Sequence, residues 1–91
     1  MRIPTEKEAR KWIEKARFKK GVEDFVGGVD TEVVVRQGTW LWSGWKNELK
    51  RRGISYHRFI EVFKLHSDDF VRWLKGEASW DDVIRKFVWM L

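Results

Sequence analysis

Gly53-Ile54-Ser55-Tyr56-His57-Arg58-Phe59-Ile60, then Leu65, then Val71-Arg72-Trp73-Leu74-Lys75-Gly76, sets apolar residues at helical spacing between two glycines. Gly53 is placed to end one helix and Ser55 to cap the next, with Phe59, Ile60 and Phe63 on its inner face. A new helix is expected after Lys64–Leu65. His66 or Ser67 caps a following helix with Phe70, Trp73 and Leu74 inside, and Gly76 ends it. Two short helices joined this way must share a small core, so Phe59, Phe63, Leu65, Phe70 and Trp73 are expected to face inward.

The same punctuation extends in both directions. Downstream, Ser79 caps a helix bearing Val83, Ile84, Phe87, Val88 and Leu91 inside, with Asp81-Asp82 in the first turn where the helix dipole favours them. Upstream, Ser43 caps a helix running to Arg52, with Trp45 and Leu49 inside. Residues 42–91 therefore read as four short helices. Thr31–Val35 is β-branched and Thr39–Trp42 is Trp-rich, with Gln37-Gly38 between them as a two-residue turn. Glu32–Trp42 is accordingly expected to form a β-hairpin, or else one strand leading into an extended connection. Thr5 precedes Glu6 and Glu8 as an N-cap. Ala9, Trp12, Ile13 and Ala16 then recur as one apolar helix face, opposite Lys7, Arg10, Lys11, Glu14 and Lys15. Phe18, Val22, Phe25 and Val26 continue this helix past Gly21 or form a second, and Gly27-Gly28 ends it.

The segment from Gly53 to Gly76 resembles the Cro/Xre helix-turn-helix signature of phage repressors. The resemblance lies in the Gly-Ile-Ser opening, the apolar pair Phe59-Ile60, the apolar residue after the turn, and the Trp-Leu-Lys-Gly close; it covers about residues 42–91. It implies a mainly α fold: a four-helix repressor-like domain at 42–91, preceded by a basic amphipathic helix and a short β-hairpin at 1–41. That extension belongs to the same compact unit or serves as a dimerisation arm. Such domains lay the second helix of the pair in the major groove. The resemblance therefore implies Ser67, Asp68, Asp69 and Arg72 at base edges and Tyr56 at a phosphate, with Lys50, Arg51, Arg52, Arg58 and Lys75 as nearby positive charge. The sequence departs from the pattern at Ile60, at Lys64 in place of a turn glycine, and at Asp68-Asp69, whose charges repel phosphate unless they accept from a cytosine amino group.

The remaining composition bounds the function. The chain carries a net charge of +5, concentrated in residues 1–20 and 40–66, with acidic residues 21–39 between them. Cysteine is absent, which removes disulfides, thiol nucleophiles and cysteine zinc sites together. No apolar run approaches the roughly 20 residues of a membrane span, and the first residues are charged where a signal peptide is apolar, so a cytoplasmic protein is expected. His57 and His66 lack the surrounding carboxylates of a metal site, and neither a nucleophile–base set nor a phosphate-binding glycine loop is present. The expected function is therefore non-enzymatic and without cofactor: sequence-specific binding of double-stranded DNA by a homodimer that regulates transcription. Two alternatives stand beside it. One is a protein-interaction module, like an antitoxin or accessory factor, motivated by Asp68-Asp69. The other is a single-stranded nucleic-acid binder using Trp40, Trp42 and the basic first helix. Trp45, Trp73, Trp80 and Trp89 fall on expected inner faces and are assigned to the core.

Overall fold

Thr5 and Glu8 open the first helix by a reciprocal exchange. The Glu8 amide donates to Thr5 Oγ1 at 3.2 Å, while Glu8 Oε1 accepts from the Thr5 amide at 3.2 Å. This capping box satisfies two of the helix's orphan donors. In the computed structural model the described residues are 1–21 and 31–91, without the side chains of 19–21. They form five helices and no strand: α1 (Glu6–Gly21), α2 (Thr31–Gln37), α3 (Thr39–Arg51), α4 (Tyr56–Leu74) and α5 (Trp80–Met90). The expected continuation through Val22, Phe25 and Val26 to Gly27-Gly28 lies outside the described residues.

The β-hairpin expected at Glu32–Trp42 is not there; both of its strands are helical. Val34 and Val35, adjacent in sequence, are both buried, and so are Trp40 and Leu41. A half-buried strand sends neighbouring side chains to opposite faces, whereas a helix lodged in a core can bury both. Helix propensity penalises β-branched residues by at most about 0.7 kcal/mol each, against about 1.5–3 kcal/mol for burying a valine-sized side chain. Burial wins. The break at Gly38 falls where the turn was expected but joins two helices, with Gly38 at φ 74° serving as the N-cap of α3. A Cβ there would also stand 2.7 Å from the Phe63 ring. The helix expected to start at Ser43 therefore begins at Thr39.

The two glycines that frame the signature end helices as anticipated. Ile54 N donates to Leu49 O and Gly53 N to Lys50 O; Glu77 N donates to Arg72 O and Gly76 N to Trp73 O. Both are Schellman closures. Between them, however, stands one uninterrupted helix of 19 residues instead of two helices and a turn. Residues 64–67 contain neither Gly nor Pro, and the apolar stripe Phe59, Phe63, His66, Phe70, Trp73 keeps its period straight through them. His66 occupies the inward position, half-buried, with Nδ1 3.1 Å from Val62 O and its ring beside Phe87. Leu65, expected inside, is 74% exposed. The described part of residues 42–91 is therefore three helices, and no separate recognition helix exists in it.

One core unites all five helices. α4 packs against α2, α3 and α5, and α1 packs against α2 and α3. Trp40 sits at its centre, stacked on Trp73, edge-on to Phe63 and Phe70, with Nε1 donating to Val35 O at 3.0 Å. Phe87 brings α5 edge-on against Phe59, Phe63 and Phe70. Such pairs contribute about 0.5–1.5 kcal/mol each beyond their area. Three further indoles hold residues 2–6: Trp45 Nε1 donates to Arg2 O, Trp80 Nε1 to Pro4 O, and Trp73 Nε1 to Glu6 Oε2. α1 reaches α3 closely because Gly44 offers no side chain where the Trp12 ring lies.

Candidate nucleic-acid interface

The residues assigned to DNA reading fall on α4, and the fold engages most of them internally. Asp68 Oδ1 accepts from Arg36 at 2.7 Å, which ties α4 to α2. Asp69 pairs with Arg72 at 2.8 Å, and Lys75 reaches Glu32 at 3.7 Å. Ser67 caps nothing; its hydroxyl donates to Lys64 O within the helix. Arg58 pairs with Glu61 and donates to Met90 O, anchoring the end of α5. Arg51 and Arg52 both pair with Glu48. Of the expected contact residues, Tyr56 and Lys50 remain without an ionic or hydrogen-bonded side-chain partner among the described residues. Lys64 apart, the outer surface of α4 is consequently a lattice of compensated charges.

Three titrating groups report these contacts. The Arg2 guanidinium, hydrogen-bonded to Glu8, holds the Glu8 carboxyl below its ordinary value, assisted by the capping exchange with Thr5. Glu48 is also lowered, first by the Arg2 amide that donates to it and then by the charges of Arg51 and Arg52. Arg36 is raised by its hydrogen bonds to Asp68 and Glu32. Arg36 is exposed and the two carboxylates are partly so, and their shifts describe surface clamps.

Uncompensated positive charge gathers elsewhere, on the helix pair α1 and α3. Lys7, Lys11 and Lys15 recur every fourth residue along the outside of α1, about 6 Å of rise apart. Arg17 is exposed on the same helix, and Lys46 and Lys50 stand one turn apart on the outside of α3. None of these has an ion-pair partner among the described residues. The exposed α3 surface beside the lysines is polar and uncharged, formed by Ser43 and Asn47, and Glu14 is the unpaired carboxylate of α1. On α5, by contrast, unpaired Arg85 and Lys86 lie one turn from unpaired Asp81 and Asp82, so their fields largely cancel.

The structure also relocates the tryptophans. Trp40 is in the core, which removes it as a stacking candidate, and Trp42 is half-buried. Trp89, expected inside, is 87% exposed. Its position two residues after Phe87, which points inward, places it on the opposite side of α5. Lys46 is not among the expected contacts; its spacing of four from both Trp42 and Lys50 was the available signal. Among the described residues no group of His, Asp and Glu side chains is arranged to hold a metal ion, and no helix is long and apolar enough to cross a membrane. Compared with known proteins, the chain matches no family model, and no curated protein or solved structure matches it.

Proposed function

We propose that this protein binds double-stranded DNA by gripping its phosphates along the exposed faces of α1 and α3. The observation that supports this is the segregation of charge: Lys7, Lys11, Lys15, Lys46 and Lys50 stand unpaired on two packed helices, while the cations of α4 are largely matched by carboxylates. Lysines spaced along adjacent helices present a positive surface to a regularly charged polymer, and releasing its counterions drives association. Four or five phosphate contacts correspond to a slope of about −4 in log affinity against log salt. With α4 unbroken, sequence preference has no recognition helix to rest on. A regulatory role therefore depends on one duplex being preferred over others.

The test is fluorescence anisotropy with random and genomic duplexes at several salt concentrations. Replacing Lys11, Lys15, Lys46 and Lys50 by Gln is expected to flatten the salt slope and abolish binding at physiological salt. Arg72→Gln and Lys75→Gln, on the compensated face, are expected to leave it unchanged. Absence of any salt-sensitive binding would sink the reading.

A second reading, a protein-interaction module, is favoured by Trp89, Leu65 and Met90. All three are exposed, and Met90 is held beside α4 through Arg58. The occupant proposed is a second copy of this chain, giving the homodimer. Ala9, Ile13, Val34 and Val35 of the expected dimer arm are instead buried in the protein's own core. Sedimentation velocity checks this: Trp89→Glu should convert a dimer to monomer, and a monomeric native chain refutes it.

A further inference from the structure

Tyr56, the first residue of α4, lies against Trp42 with ring centroids 5.2 Å apart, and Trp42 in turn lies against the fully buried Phe59 at 5.4 Å. The tyrosine ring is thus braced from behind by a chain of aromatics that ends in the core. Yet it is 42% exposed, and its hydroxyl makes no hydrogen bond within the described residues. Trp42 also heads a stripe along α3, with Lys46 and Lys50 following at four-residue intervals. A half-open aromatic ring is therefore packed on Trp42, and two cations without an ionic partner, Lys46 and Lys50, follow Trp42 at one and two turns along α3.

We infer that Tyr56, backed by Trp42, is a stacking platform for an unpaired nucleobase, while Lys46 and Lys50 take phosphates of the strand that carries it. This rests on the phosphate-binding reading and sharpens its substrate class to nucleic acid with a single-stranded segment, such as an overhang next to a duplex. A base inside an uninterrupted duplex has both faces covered by its neighbours, so the ring can reach only a base that has left the stack. Stacking on a protein aromatic tolerates any base, because every base has a π-face. The platform therefore selects strand state and leaves sequence unread.

The experiment compares three labelled probes with the full chain: a 20-nucleotide single strand, a blunt duplex, and that duplex with a six-nucleotide overhang. Tyr56→Leu keeps an apolar cover over Trp42 but removes the ring; Tyr56→Phe keeps the ring and removes the hydroxyl. Tyr56→Leu is expected to weaken binding of the single strand and the overhang about tenfold, with the blunt duplex within twofold of wild type. Tyr56→Phe is expected to bind all three as wild type does. Lys46→Gln with Lys50→Gln should weaken all three and lower the salt slope. Should Tyr56→Leu bind the single strand as tightly as wild type while the lysine variant is weakened on every probe, the platform is refuted and the phosphate reading stands. If no probe shows salt-sensitive binding, the phosphate reading fails and takes the platform with it.

Discussion

Gly44 lies inside α3, where alanine ordinarily stabilises a helix by about 1 kcal/mol over glycine. Here the expected sign is reversed. A Cβ on Gly44 would stand only 2.1 Å from Cδ2 and 2.2 Å from Cε2 of the Trp12 indole, so α1 must lift or the indole must turn out into solvent. Trp12 is half-buried, which for a tryptophan corresponds to about 100 Å² of apolar contact, and at about 25 cal/mol per Å² its expulsion forfeits about 2.5 kcal/mol. Subtracting the helix-propensity gain leaves Gly44→Ala destabilised by about 1.5 kcal/mol. In a domain of this size that corresponds to a melting temperature lowered by about 6–12 °C. Thermal and urea unfolding followed by far-UV circular dichroism reads this directly. The internal control is Trp12→Ala: with the ring gone, Gly44→Ala should change sign and raise stability by about 1 kcal/mol. Two results refute the reasoning: a more stable Gly44→Ala in the native background, or the same loss in both backgrounds, since either removes the ring as the cause.

Two further outcomes test the fold and its surface clamps. Lys64→Gly places the family's turn residue in the middle of α4, where continuity predicts a loss of about 1 kcal/mol in urea unfolding; a neutral or stabilising effect would mean that a turn exists there after all. Glu8 and Glu48 are held below their ordinary carboxyl value of 4.5 when folded. Their contribution is therefore complete above the unfolded-state value and is lost as pH falls through the lowered folded value. Melting curves between pH 7 and pH 3 should show an acid limb that becomes shallower in Glu8→Gln with Glu48→Gln, and an unchanged limb contradicts the assignment.

What was legible in the sequence was its punctuation. Thr5, Ser55 and Ser79 cap as their side chains suggest, and Gly53 and Gly76 close helices because the motif needs a left-handed residue there. What the sequence concealed was context. Nothing local distinguishes Val34-Val35 in a strand from the same pair in a short buried helix. The packing that decides it comes from α1 and α4, distant in sequence. At residues 63–66 two readings of one apolar pattern compete, one carrying the stripe onward through His66 and the other diverting it through Leu65. The second borrowed its turn from a family pattern whose glycine this chain lacks. The candidate surface was legible in part: the lysines of α1 were visible as an outward face, whereas the neutralisation of α4 depends on pairings such as Arg36 with Asp68 that join separate helices.

The indole clamps on residues 2–6 also set an order of events. Trp80 meets Pro4 across 76 positions and Trp73 meets Glu6 across 67. A chain made from its amino terminus releases α1 just before α2 and α3, the helices it packs on, so α1 can be seated as soon as they emerge. The seam before it closes later, because Glu6 and Pro4 gain their indole donors only when Trp73 and Trp80 have been made. Joining the two ends of the bundle is therefore the slow part of its assembly, paced by contacts of long sequence separation.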